Sequence, residues 1–516
     1  MLRMFIFIIA CIIIGCSSIE PQFVKKNNSY NYRDLSLNKQ ESIIFIHTYA
    51  IESLENSYEK IFCTSLNDCY GNISNVKNDA NFKGFDLSKK PILNNELNIK
   101  SVDLYRVTYH TKGQNGEDEL VSGGIYYPNI TKPRGKIKGV ILFFHPTFFA
   151  KNSVSSYDIN NPINKSVAAL FAANGYVVLY PDYVGMGINH EQVHPYVLYP
   201  QVNAIDGLSI IQASQNFIKN KLQLASDIPL YVTGYSEGSA YVLWFSRLYQ
   251  EQTDFKSKLD NSGYKLKKVI PIDGAYNLSE VTWKYLFSNN NTFNSDVYRT
   301  SNSLITGGLK PPLITIALVS YGFYAESANY INIFNPEFFN MYCSLQFASN
   351  CNINNESNIN LSQLLKLESS TVINLPQGDN AFEIYIVNKI NNSANHKINN
   401  NGIYTLFTNN IKPLVNNDLQ QNQKLITLLY QGDVYYWHSE IPTVLLTLRR
   451  DSVVSPLNSE YAYIGMLADG SKNLQYIIVD NDLIENKFSK FIPSTEVDHL
   501  NGFAYLFIVA LKQFDN

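Results

Sequence analysis

Charge is scarce in this 516-residue chain: 16% of its residues are Asp, Glu, Lys or Arg, and the formal net charge is only -3. With no basic excess and a pI near 6.3 it has no electrostatic footprint for nucleic acid, which is not expected as a partner. Near the start, the apolar run Phe5 to Ile14 falls well short of the roughly 20 residues of a membrane-spanning helix, so no permanent span is expected there. Cysteine is also sparse, with six residues, and no Cys or His pattern has zinc spacing. Neither a metal nor a cofactor is therefore expected. What the chain does have is apolar residues, 45% of the total, enough for a folded core.

Arg3, the apolar run and the small residue Gly15 together have the order of a secretory signal over residues 1–15. The junction Ile13-Ile14-Gly15-Cys16 resembles the lipobox of bacterial lipoproteins. That resemblance implies that Cys16 carries lipid and anchors an exported protein to a membrane. Ser17 follows, with no Asp there to suggest retention in the inner membrane, so the outer membrane is expected, on its periplasmic or surface face. Export permits disulfides. Setting aside Cys11 and Cys16 leaves Cys63, Cys69, Cys343 and Cys351, which allow three connectivities. The short spacings favour Cys63 with Cys69 and Cys343 with Cys351, without settling the matter.

At this length the chain exceeds the roughly 250–300 residues at which one core stops growing, so two domains or a core with a large insertion are expected. Residues 17–100 are polar and Asn-rich apart from an apolar patch at Ile43 to Ile46, and read as a tether and N-terminal subregion. From 101 to 275, β-rich runs alternate with helical spacing, the pattern of a largely parallel sheet covered by helices. Strands are expected at Val102 to Thr108, Leu120 to Tyr127, Gly139 to Phe144, Tyr176 to Tyr180, Pro229 to Thr233 and Lys268 to Ile272. Helices are expected at Ser166 to Ala173, Val202 to Ile218 and Ala240 to Leu248. The pattern lapses over 276–437, where Asn clusters separate apolar stretches, and this region reads as a mainly helical cap inserted into the sheet domain. Strands resume over 438–516, at Thr443 to Leu448 and Leu474 to Val479, and a helix closes the chain.

The segment Leu230 to Gly238 ends a strand with Gly-x-Ser-x-Gly and runs into a helix. A turn this tight needs residues without side chains two before and two after the serine, and Gly234 and Gly238 supply them. The segment resembles the nucleophile elbow of α/β hydrolases, which implies an α/β-hydrolase fold and Ser236 as nucleophile. A serine hydroxyl needs a general base, and the base a third group to orient it. In this fold the chain order is Ser, acid, His. Of the later histidines, His396 lies in an Asn-rich loop and His438 precedes the penultimate strand. His499 follows the last expected strand and is the expected base. Asp451, directly after the strand Val444 to Leu448, is the expected acid. Asp273, ending Ile270-Pro271-Ile272-Asp273, is its rival, and Asp480 ranks third.

An oxyanion hole needs two backbone N–H groups aimed at the developing charge. The resemblance assigns one to Glu237 and the other to the loop after the third core strand. That loop, His145-Pro146-Thr147, has proline where the family usually has glycine, and proline has no N–H. Thr147 is therefore the expected donor. Asp182 and Tyr183, in a segment resembling the secretory-lipase branch of the fold, read as structural.

Together these residues imply a serine hydrolase of the esterase or lipase type, acting on a small-molecule or lipid ester through an acyl-enzyme. A peptidase or amidase on the same fold is the nearest alternative, although the insertion has no repeat that would suggest a propeller-gated peptidase. A lipid-anchored binding protein without catalysis is the alternative of a different class. Oligomeric state is not legible.

Overall fold

The computed structural model describes residues 41–54, 99–130, 137–148, 151–190, 192–223, 226–287, parts of 313–325, 419–451, 453–479 and 499–515. The expected signal segment, Cys16, the four remaining cysteines, His396, Asp480 and most of the expected cap lie outside the described residues. Among the described residues no helix is long and apolar enough to cross a membrane.

Among the described residues nine strands form one sheet: β1 (Ser42–Ala50), β2 (Ile99–Lys112), β3 (Asp118–Ile130), β4 (Gly139–Phe144), β5 (Tyr176–Pro181), β6 (Ile228–Tyr235), β7 (Tyr264–Ile272), β8 (Thr443–Leu448) and β9 (Leu474–Val479). Their spatial order is β1-β2-β3-β5-β4-β6-β7-β8-β9. The first three strands pair antiparallel and β3 meets β5 antiparallel, whereas every pair from β5 to β9 is parallel. Residues 42–50, read from the sequence as part of an N-terminal subregion, form the outer strand of this sheet. β2 and β3 run well past their expected ends because they make one long hairpin, paired from Ile99 with Ile130 to Lys112 with Asp118.

Helices cover both faces: α1 (Pro162–Leu170), α2 (Pro200–Leu222), α3 (Glu237–Glu251), α4 (Thr253–Asn261), α5 (Trp283–Phe287), α6 (Leu419–Gly432), α7 (Leu457–Ala468) and α8 (His499–Asp515). Side chains alternate across a strand, and the central strands are apolar on both sides because each side meets helices. Val140, Leu142 and Phe144 of β4 share a core with Ile211 of α2 and Phe245 of α3. Ile141 and Phe143 of the same strand point the other way, toward Leu170 of α1 and Phe507 of α8. Phe507 meets Phe143 edge-on at 5.4 Å, and burying one such ring is worth about 1.5–3 kcal/mol. Local signals set the helix ends. Asn161 caps α1 by accepting from Ile163 N at 2.8 Å and Asn164 N at 3.3 Å, and Pro162 opens the helix with no N–H to waste.

Strands β4, β6, β7 and β8 are adjacent and parallel, so their C-terminal ends share one edge of the sheet. The chain leaves β4 toward β5 on one side and leaves β6 toward β7 on the other. In open α/β sheets the crevice beside such a reversal is where ligands bind.

The elbow after β6 is sterically forced. A Cβ on Gly238 would run into the carbonyl oxygens of Phe144 and His145, and one on Gly234 would sit 2.7 Å from the Phe144 oxygen. Both obstacles are backbone and cannot rotate away. Gly238→Ala is therefore expected to lose several degrees of thermal stability or to fail to fold, beyond the roughly 1–3 kcal/mol of ordinary overpacking. A melting temperature within a degree of the wild type would show that the elbow has room to spare.

Candidate active site

Ser236 sits between β6 and α3 with φ +57° and ψ -119°, a conformation that L-residues rarely adopt. Its backbone N–H donates to Ile272 O at 3.0 Å, which ties the elbow to the end of β7. The strain lifts the side chain above the strand ends and places it at the N-terminus of α3, where unpaired N–H groups and the helix dipole favour negative charge.

The next ring it meets is His499, the first residue of α8. His499 Nε2 lies 2.8 Å from Ser236 Oγ, and Nδ1 lies 2.5 Å from Asp451 Oδ2. A carboxylate can only accept, so Nδ1 donates to Asp451 and Nε2 is left to accept the serine proton. Asp451 is held in turn: its Oδ1 accepts from Val453 N and Val454 N, both at 2.8 Å. The His499 ring stacks on Tyr235 at 4.8 Å, and the Tyr235 hydroxyl donates to the His499 carbonyl at 2.5 Å. Ser236, His499 and Asp451 are all buried. The chain of hydrogen bonds can pass a proton from Oγ to the imidazole while the carboxylate stabilises the cation formed.

Asp273 lies in the same place but makes different contacts. Its Oδ1 accepts from Thr447 Oγ1 at 2.6 Å and Leu448 N at 2.9 Å, and no hydrogen bond links it to His499. Asp273, Asp451 and His499 each offer a donor atom within 4.8 Å of the others, which is the one such grouping among the described residues. Both ring nitrogens of His499 are already engaged by Asp451 and Ser236, so the hydrogen-bonded chain accounts for the grouping without an ion. His438 is elsewhere, half-buried, with Nδ1 3.1 Å from the Asp469 carbonyl.

The loop 145–147 abuts the start of α3, since the carbonyls that forbid a side chain on Gly238 belong to Phe144 and His145. Thr147 is half-buried, with Oγ1 2.9 Å from the Tyr196 hydroxyl. His145 anchors this loop: Nδ1 lies 2.6 Å from Pro146 O and the Tyr183 ring stacks on it at 3.9 Å. Burial holds the His145 ring neutral, its pKa pushed down to about 4. Asp182 and Tyr183 serve this packing. Asp182 accepts from Ser122, Ser155 and Ser156, and the Tyr183 hydroxyl donates to His145 O at 3.0 Å.

Sequence reading valued Glu237 only for its backbone N–H and overlooked its side chain. That carboxylate is buried, 2.6 Å from His194 Nε2 and accepting from the Tyr241 hydroxyl at 2.5 Å. Burial pushes its pKa up, but the His194 ring more than offsets this, and the group sits below its usual range. The available signal was a glutamate opening a helix whose other positions are nearly all apolar or small, where a buried acid must have a partner.

No family model matches the chain and no curated protein does. Solved structures do match. A Legionella pneumophila protein provisionally described as a hydrolase aligns at 18% identity and TM-score 0.59, covering 92% of this chain and 99% of its own. The rice cell wall degrading esterase LipA from Xanthomonas oryzae aligns at 16% identity and TM-score 0.59, covering 92% of this chain and 97% of its own. Likeness at these identities concerns the fold. With the parallel sheet, the elbow after β6 and helices on both faces, it makes this an α/β-hydrolase fold.

Proposed function

We propose that the protein is a serine hydrolase cleaving carboxylic esters, with Ser236 as nucleophile, His499 as general base and Asp451 as the group that orients it. The observation that supports this most is the unbroken path from Ser236 Oγ through the imidazole to Asp451, at 2.8 and 2.5 Å, on the ligand-binding edge of the sheet. Ser236 Oγ attacks the ester carbonyl carbon and gives its proton to His499 Nε2. The resulting oxyanion is stabilised by the N–H of Glu237 and of Thr147. Collapse expels the alcohol, which takes the proton from His499, and leaves an acyl group on Ser236. Water, deprotonated by His499, then releases the acid. That one of the proteins similar in fold is called an esterase fits this reading but does not carry it.

In the same reading Cys16 is lipidated and holds the enzyme at a membrane after export. An N-terminal anchor would keep the site near lipid or cell-envelope esters. The buried Glu237 carboxylate supports the assignment of that residue, because its contacts with His194 and Tyr241 hold the residue whose N–H would face the oxyanion.

A panel of p-nitrophenyl esters of rising acyl length tests the activity. Turnover by the wild type and its loss in Ser236→Ala, with unchanged circular dichroism, is the expected result. Ester turnover that survives Ser236→Ala would overturn the assignment. The acid is tested separately: Asp451→Asn should lower kcat by up to about 10⁴-fold, because the imidazole loses the partner that fixes its tautomer. Asp273→Asn should lose less. The reverse order of the two variants would move the orienting role to Asp273.

A further inference from the structure

Asp273 remains unexplained by the mechanism above. It is fully buried at the end of β7 and held at φ +47°, a left-handed conformation that costs about 1–3 kcal/mol in a residue other than glycine. Its backbone N–H donates to Leu446 O at 2.9 Å, so its position is fixed from β8. Oδ1 accepts two hydrogen bonds, from Thr447 and Leu448, while Oδ2 is buried with no partner among the described residues. A bare, buried carboxylate oxygen is among the costliest groups a protein can hold. Among the described residues the titratable groups facing it are Asp451 from the loop after β8, His499 from α8 and Tyr276 on its own segment.

Two carboxylates this close in a dry site cannot both ionise freely. Asp451 has two backbone donors and the imidazole arranged around its oxygens. Asp273 has the poorer set, and its unpartnered oxygen is the place for a proton. Burial first, and the charge of Asp451 second, push the Asp273 carboxyl up to about 7.

Resting on the hydrolase reading, we propose that Asp273 is a positioning residue of the same site: a second carboxyl that stands protonated beside the Asp451–His499 pair and, on losing its proton, adds a negative charge that stabilises the imidazolium. The wild type then carries an ionisation that belongs to neither Asp451 nor the serine. Below it, the imidazolium formed during acyl transfer is held by one anion; above it, by two.

The test is the pH dependence of kcat/KM for the wild type and Asp273→Asn between pH 5.5 and 8.5. Asn mimics the protonated acid but cannot ionise. The ratio of wild-type to variant kcat/KM should therefore rise by about threefold to tenfold across this range, as the second carboxylate charge comes to stabilise the imidazolium. Profiles that superimpose after scaling would overturn the proposal. Thr447→Val removes one donor to Oδ1 and should move the extra ionisation to higher pH, which decides the matter if Asp273→Asn does not fold.

Should no ester be turned over, the hydrolase reading fails, and melting curves still judge the protonation of Asp273. The native state would keep a proton between about pH 4 and 7 that the unfolded chain has lost. Stability of the wild type should then fall relative to Asp273→Asn as pH rises through that window. A difference between the two that is flat with pH would refute a protonated Asp273.

Discussion

The close approach of Gly238 to the carbonyls of Phe144 and His145 is the constraint on which the rest depends. It brings the start of α3 against the end of β4 with no side chain between them. That contact leaves the chain no relaxed path from β6 into α3, so Ser236 is driven to positive φ and its hydroxyl to the sheet edge. It also brings the His145 end of loop 145–147 against the start of α3. The large apolar cores on the two sheet faces hold strand ends and helix starts in register, and the elbow turns that register into a site.

Electrostatics in the site follow from burial. Carboxylates buried around this edge show different solutions to the same cost. Asp182 is surrounded by serine hydroxyls, Glu237 is paired with His194, and Asp451 is spread over two backbone donors and His499. Asp273 keeps one oxygen without a partner among the described residues. The first three are satisfied by donors arranged in advance, which is the condition for a polar group to rigidify a core rather than weaken it.

Much of this was legible in the sequence because it is local. The glycines flanking Ser236 announce their own turn, and strands such as Gly139–Phe144 and Thr443–Leu448 stand out as short β-rich runs bounded by polar residues. The order Ser236, Asp451, His499 named the three residues that the fold brings together. What was not legible depends on distant partners. β1 is a strand because β2 offers it an edge, and its own sequence, with Ile44 and Phe45 half exposed, has no clear inward face. The His194–Glu237 pair joins residues 43 positions apart, and neither residue type declares the other. The choice between Asp451 and Asp273 is likewise a matter of which carboxylate points at Nδ1, a fact of side-chain direction rather than of pattern.

The central claim is that His499 and Asp451 make Ser236 a nucleophile. Its most direct measurement is covalent: the folded, full-length protein is exposed to a fluorophosphonate, and the adduct is located by intact mass and peptide mapping. The account predicts one adduct per chain, on Ser236, formed only by the folded protein and lost in His499→Ala. A natively folded protein whose Ser236 stays unmodified, or one labelled equally well without His499, would contradict it.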